Sequence, residues 1–185
     1  MNASQQWRTE KASSPHGDRH RYARHPAIED ISFSNINLTF GGGGTADMAA
    51  RRDLPNVAGE YFSLGAMPAY GLYARNSRGV SLQSVRFQTA TPDPRPALTF
   101  DRVANASIMG LSIQSDSAAE SALRFIESSD VLITAPRLLT PTAVFLQLEG
   151  QGTKNVIVDG GDLSKATSVT ALKSGAIEGA VNVRG

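Results

Sequence analysis

The apolar residues of this chain recur in a pattern that fits neither a helix nor one straight strand. In the stretch GVSLQSVRFQT (Gly79–Thr89), the apolar positions are Val80, Leu82, Val85 and Phe87. Strict alternation is typical of a strand, and a spacing of three or four residues is typical of a helix. The stretch therefore divides into two short alternating strands. The two residues between them shift the inward phase by one, which predicts a bend between two sheets.

The same four-position pattern repeats along the chain at a nearly constant step. The step is 26 residues to the next copy and 25 residues thereafter, and an earlier copy lies 49 residues before. A fixed period of about 20 to 50 residues indicates a solenoid, in which each unit buries its apolar face against the next. The other copies are Ile31, Phe33, Ile36 and Leu38; Ala106, Ile108, Leu111 and Ile113; Val131, Ile133, Pro136 and Leu138; Val156, Val158, Gly161 and Leu163; and Val181 with Val183.

Equivalent positions of successive copies form columns along the chain. A second set of such columns supports the repeat and indicates that its unit is strand-rich. Val, Ile, Phe and Thr dominate the columns, whereas Asn, Gly, Asp and Ser fill the gaps, as short strands and tight turns require. Leucine-rich repeats have a similar period but a different Leu and Asn spacing and usually a helical segment. The pattern predicts an all-β fold, a right-handed parallel β-helix with rungs of about 25 residues. The second columns are Leu72, Leu98, Leu123 and Leu148, with Phe100 and Phe125 as a third.

The chain divides into a polar arm and one solenoid domain. Residues 1–25 are polar and aperiodic, which predicts disorder, and residues 26–185 hold the rungs. Four glycines at Gly41–Gly44 begin a long insertion at 41–68. A phosphate-binding role for them is disfavoured because no Gly-Lys-Ser/Thr follows and no helix is evident. We expect a flexible, protruding loop there, and a stiff turn at the three prolines of ATPDPRP.

Composition excludes several kinds of site. The chain has no cysteine, and its three histidines, His16, His20 and His25, all lie in the arm. The repeats therefore hold no thiol nucleophile, no Ser-His-Asp triad and no histidine metal site. We predict no metal and no cofactor.

Charge and hydropathy bear on the partners. Residues 1–25 carry five Lys or Arg against two acidic residues, and the remainder carries 13 against 15. Only Trp7 and Tyr22 accompany the basic residues of the arm, so we expect no nucleic-acid binding. No apolar run reaches the roughly 18 residues of a membrane span, and no signal peptide is visible, so we expect no membrane association.

Three stretches resemble glycoside hydrolase family 28, the polygalacturonase-like enzymes. They are HPAIEDISFSNINLTFGGGG, PAYGLYARNSRGVSLQSVRF and DPRPALTFDRVANASI, and the resemblance covers about residues 25–165. It implies a parallel β-helix that cleaves pectic polysaccharide by inverting hydrolysis, and a secreted or periplasmic location. The family's catalytic aspartates lie in Asn-Thr-Asp and Asp-Asp motifs, and neither motif occurs here. Its Gly-His-Gly and Arg-Ile-Lys elements are missing as well, so no catalytic residue is carried over.

The positions of the carboxylates also lead us to expect no catalytic pair in this chain. Inverting hydrolysis needs two carboxyl groups about 6.5 to 9.5 Å apart, which neighbouring rungs about 4.8 Å apart could offer. Yet Asp130 maps to Asn155 one rung later, and Asp101 maps to Ile126. Asp159 and Asp162 are close in sequence, but we expect them to be solvated turn residues.

Five residues are candidates for binding an acidic sugar. An arginine fork can hold the carboxylate of a uronic acid, and a tyrosine ring can stack on a sugar. The structural alternative is that the arginines tie loops to nearby aspartates. The candidates are Tyr70, Tyr73, Arg75, Asp93 and Arg95.

Two functional hypotheses remain open. The first is the C-terminal portion of a polygalacturonase-like hydrolase, inactive alone, with pectic or another acidic polysaccharide as partner. The second is a non-catalytic β-solenoid module that binds polysaccharide or acts as a structural spacer. Under the first, we expect self-association through the exposed β-helix end next to residues 28–40, because that end lacks a cap.

Overall fold

The structure is a computed structural model that describes residues 28–55 and 64–185. Strand pairs within these residues are parallel, and the strands stack into a β-solenoid of about five turns. The predicted all-β parallel β-helix is therefore confirmed, whereas the predicted disordered arm lies outside the described residues. No described helix is long and apolar enough to cross a membrane. The elements are β1 (Ile28–Glu29), β2 (Ser32–Phe40), α1 (Ala46–Ala50), β3 (Leu72–Arg75), β4 (Ser77–Thr89), β5 (Leu98–Asp101), β6 (Ala104–Met109), β7 (Ser112–Ile113), β8 (Leu123–Ile126), β9 (Ser129–Thr134), β10 (Arg137–Leu138), β11 (Thr142–Glu149), β12 (Lys154–Asp159), β13 (Ala166–Lys173), the 3₁₀ turn η1 (Glu178–Ala180) and β14 (Val181–Arg184).

Two sheets run along the solenoid. Sheet A contains β2, β4, β6, β9, β12 and β14 in that order, and the end of β4 also pairs with β7, which pairs with β10. Sheet B has the order β3, β5, β8, β11 and β13. In sheet A, Leu82 pairs with Ile108, Ile108 with Ile133, and Ile133 with Val158. The repeat step seen in the sequence is thus the register of the sheet.

The bend predicted within Gly79–Thr89 occurs at a single residue, but it lies within one strand, β4, of one sheet, so the predicted division into two strands of two sheets is wrong. Ser84 has φ of 52°, and β4 pairs with β6 before this residue and with β7 after it. The equivalent residue of other rungs also has positive φ, and Asn and Gly adopt that conformation more readily than most residues. One left-handed residue turns the strand and shifts its inward phase. The column consists of Asn35, Ser84, Gly110, Ala135 and Gly160.

The repeated apolar columns form the core. Phe100 and Phe125, in neighbouring rungs of sheet B, stack with ring centroids 5.1 Å apart. The inward residues of the middle rungs are almost fully buried, whereas Leu38 at one end and Val183 at the other are 38% and 45% exposed. The ends differ because no further described rung covers them.

One predicted column position is wrong. Leu123 pairs with Leu146, and Leu148 pairs with Phe125, so Leu148 belongs to the phenylalanine column. The connection that enters β11 is two residues shorter than the one that enters β8. The turn after β11, which contains Gly150, is two residues longer and restores the 25-residue step in sheet A. Because one turn is shorter and the next is longer by the same number of residues, the shorter step from β8 to β11 is not visible in the sequence.

The described part of the insertion is not the protruding loop that the sequence suggested. It contains the helix α1, whose N-cap Thr45 accepts a hydrogen bond from the Met48 backbone N–H at 3.2 Å. Ala49 and Leu54 are each 5% exposed. The Arg124 side chain, on sheet B, donates to the Ala49 carbonyl at 2.5 Å. This segment therefore packs across the outer face of sheet B.

Candidate functional site

The outer face of sheet B carries a polar row that the insertion covers. Leu123 and Phe125 point into the core, so strand alternation directs Arg124 to the outside. Arg124 is nevertheless fully buried, as are Thr99 and Gln147, its neighbours in register on adjacent strands. A buried cation needs partners, because removing a charge from water is costly.

Arg124 finds its partners in a network of two carboxylates and three cations. Its Nη2 lies 2.8 Å from Glu120 Oε2, and its Nε lies 3.3 Å from Glu149 Oε1. Arg52, from the insertion, binds Glu149 through Nε at 2.8 Å and through Nη2 at 2.7 Å. Lys173 pairs with the other side of Glu120. The network fastens the insertion to sheet B.

Both carboxylates of this network stay ionised. Burial raises the pKa of Glu149, but the hydrogen bonds from Arg52 and Gln147 and the nearby cations outweigh it and hold the pKa below its usual range. Burial also raises the pKa of Glu120, which Lys173 and Arg124 lower by a larger amount. Neither group is suited to hold a proton at neutral pH.

Two of the predicted sugar-binding residues, Tyr73 and Arg75, come together around Asp101. The Tyr73 hydroxyl donates to Asp101 Oδ2 at 2.9 Å, and Arg75 Nε lies 3.2 Å from the same oxygen. Arg102 Nη2 lies 3.0 Å from it. Burial, together with the bond to Asp101, raises the pKa of Tyr73. Arg75 also donates to the Leu54 carbonyl at 2.8 Å, so it ties the insertion to sheet B.

Asp93 and Arg95 form a second tie. Arg95 binds Asp93 through Nε at 2.9 Å and through Nη2 at 2.6 Å, and the Gly44 backbone N–H donates to the same carboxylate at 3.0 Å. Burial raises the pKa of Asp93, but the bonds from Arg95 and Gly44 dominate and lower it. Arg95 therefore binds the nearby Asp93, as the structural alternative predicts, and the Gly44 contact places the glycine run against the proline turn.

Tyr70, the fifth predicted residue, lies in the core. It is 5% exposed, and its hydroxyl donates to the Gln114 carbonyl at 2.5 Å. Its ring meets Phe40 edge-on with centroids 5.9 Å apart. This packing leaves no ring face for a sugar to stack on. Burial also raises the pKa of the hydroxyl.

Sequence reasoning missed the network around Arg124. One signal was available, since an arginine between Leu123 and Phe125 interrupts a buried strand on its outer side. Its partners were not visible, because Arg52 is 97 residues from Glu149 and depends on how the insertion folds.

A polar open groove of about 410 Å³ lies on stacked turns between the two sheets. Asp116 supplies a carboxylate to it, and the Asp93 carboxylate there is neutralised by Arg95. No group of three or more His, Asp or Glu among the described residues could hold a metal. The hydroxyl and amide side chains that line the groove are Thr89, Thr91, Gln114, Ser115, Ser117 and Thr140.

Comparisons with protein-family models, with curated proteins and with solved structures found no match to this chain. Its functional assignment therefore depends on the sequence resemblance and on the chemistry of the groups described above.

Proposed function

We propose that this chain forms the C-terminal rungs of a polygalacturonase-like, pectin-active β-helix and is catalytically silent by itself. The resemblance over residues 25–165 supplies the family, and the parallel β-helix agrees with it. The observation that supports catalytic silence is the ionised state of the carboxylates that bind arginine or lysine.

Inverting glycoside hydrolysis requires one carboxyl group that is protonated before the reaction and one that activates a water. Asp93, Glu120 and Glu149 have pKa values below their usual range because arginine or lysine partners outweigh burial. Asp101 is held by Arg75 and Arg102. All four carboxylates tie the fold together, and the lowered pKa values make Asp93, Glu120 and Glu149 poor proton donors.

A reducing-end assay on polygalacturonate and rhamnogalacturonan tests this proposal. We expect no turnover by the purified chain, with an active polygalacturonase as positive control. Sustained turnover by the purified chain would overturn catalytic silence. If the DNA upstream encodes further rungs with paired aspartates in the same reading frame, the chain is part of a longer enzyme. If a regulatory region without such rungs lies there, an independent module is favoured.

The open polar groove favours a second candidate, a polysaccharide-binding module. Its lining is rich in hydroxyls, although those of Thr91, Ser115 and Thr140 also bond to groups of the protein. No salt bridge joins its carboxylate Asp116 to a cation within the described residues. A neutral sugar therefore fits the groove better than a uronic acid does. The buried Arg124 of sheet B is not among the residues that line the groove.

Affinity electrophoresis in neutral and acidic polysaccharides tests the second candidate. Ser117→Tyr fills the groove and should abolish retardation, whereas Thr167→Tyr, at an exposed position of β13, should leave it unchanged. Retardation that Ser117→Tyr does not alter would exclude the groove as the binding site.

A further inference from the structure

Among the described residues, no strand covers the N-terminal end of the solenoid. β2 pairs through one edge with β4, and no described strand pairs with its other edge. The free edge belongs to Ser32–Phe40 and extends for roughly 30 Å, at about 3.3 Å per residue. Such an edge presents unpaired backbone N–H and C=O groups to any strand that approaches it.

Within β2, this edge lacks the charged residues and prolines that usually prevent edge-to-edge pairing, although β1 places Glu29 farther along the same edge. The sequence of β2, SFSNINLTF, contains no charged residue and no proline, whereas natural sheets commonly place lysine or proline at a free edge. The strand bends at Asn35, but other rungs bend at the same column and still pair. Two copies of β2 can therefore approach without charge repulsion.

An apolar groove of about 260 Å³ opens beside the same edge. Leu38, in its wall, is 38% exposed, whereas Phe87, its partner one rung later, is 2% exposed. The difference marks the place where one further layer of side chains would pack. The groove is lined by Phe33, Ile36, Leu38, Phe40, Gly71, Leu72, Leu82, Val85 and Phe87.

We propose that a second copy of this chain covers this end, with the two β2 strands antiparallel about a two-fold axis. A two-fold pair satisfies the free edges of both copies and closes, whereas head-to-tail stacking leaves one open β2 edge in every oligomer. The last strands at the opposite end carry Lys173 and Arg184, whereas β2 carries no charge, so the two ends are not alike. In the two-fold pair, the exposed Leu38 of each copy packs at the groove of the other. This proposal does not depend on the proposed function.

Light scattering coupled to size exclusion, with the full chain at tens of micromolar, tests the assembly. We expect the mass of two chains. Leu38→Lys places a charge in the contact and should give the mass of one chain. Leu132→Lys is the matched control, because Leu132 is 40% exposed but lies on β9 in the middle of the solenoid, and it should remain a dimer. Circular dichroism melting checks that both variants fold.

Disulfide cross-linking tests the geometry, because the chain contains no cysteine. Asn37 is exposed near the middle of β2, so Asn37→Cys alone should form a covalent dimer on mild oxidation. Asn182→Cys, on β14, should not. Cross-linking that requires both variants mixed together would overturn the two-fold arrangement in favour of head-to-tail stacking. A monodisperse wild-type monomer, open-ended polymers, or a dimer insensitive to Leu38→Lys would overturn the proposal.

Discussion

At the scale of single residues, Gly44 shows how one backbone contact holds the insertion in place. Its N–H donates to Asp93, which Arg95 binds through two nitrogens. A Cβ at Gly44 would overlap Arg95 Nε and lie 2.5 Å from Asp93 Oδ1. The fourth glycine of the run is therefore required by close approach to an ion pair.

We predict that Gly44→Ala lowers the free energy of unfolding by roughly 1–3 kcal/mol, the range for leaving buried polar groups without partners. Urea titration measures this change, and limited proteolysis should show faster cleavage within 41–68. Gly41→Ala is the control, because a Cβ at Gly41 meets no atom within 4 Å. Equal destabilisation by both variants would mean that the contact with Asp93 is unimportant.

Glu149 stabilises the fold in a different way, because one carboxylate neutralises two arginines. Its side chain is 6% exposed and lies against Arg124, which is fully buried, and Arg52. We predict that Glu149→Gln destabilises by roughly 3–5 kcal/mol, because removal of one partner leaves buried charge uncompensated. Asp53→Asn, in the same insertion, alters a carboxylate whose side chain is 90% exposed and should change stability little. Chemical denaturation of both variants at pH 7 provides the comparison.

At the scale of elements, each strand is stabilised by the strand one rung before it and one rung after it. Ile133 lies between Ile108 and Val158 in sheet A, and Phe125 lies between Phe100 and Leu148 in sheet B. A deletion at either position opens a cavity that neighbouring rungs cannot fill without shifting the backbone ladder.

We therefore predict that Ile133→Ala or Phe125→Ala destabilises by roughly 2–5 kcal/mol, the range for truncating buried bulk. Leu132→Ala changes the neighbouring residue, which is 40% exposed, and Lys154→Ala changes an exposed residue of β12. Both substitutions should leave the free energy of unfolding measured by urea titration nearly unchanged. Similar losses at inward and outward positions would contradict the assignment of the core columns.

At the scale of the whole molecule, the charge ties make stability depend on pH. Asp93, Glu120 and Glu149 have lower pKa values in the folded chain than in an unfolded one. The folded state therefore binds fewer protons, and stability rises with pH where these groups titrate. Their contribution is complete above the unfolded values, about 3.9 for Asp and 4.3 for Glu, and is lost as the pH falls through the folded values.

We predict a urea midpoint that is level between about pH 5 and 7 and falls as the pH drops below about 4. Glu149→Gln should flatten this acid loss, because it removes one of the three groups. A wild-type midpoint that stays constant down to pH 3 would show that these pairs contribute nothing to stability.

The sequence by itself determined the β-helix, its step and its core. Identical inward positions must stack when parallel strands repeat in register, so the columns through Leu82 and Phe100 specify the fold without knowledge of its contacts. The bend within Gly79–Thr89 was equally visible, because a phase shift in an alternating pattern has few other causes, but its place within one strand of one sheet was not. The position of Leu148 was missed, because two turns of altered length compensated each other.

Tertiary structure alone decided what lies on the outside of the solenoid. The insertion has no repeat to specify its place, and its position follows from contacts such as that of Arg52 with Glu149, which are distant in sequence. Burial of Arg124, confinement of Tyr70 to the core and the pairing of Arg95 with Asp93 follow from the same packing. A repeat specifies the neighbours of each inward side chain, whereas the partner of an outward side chain depends on which segment covers it.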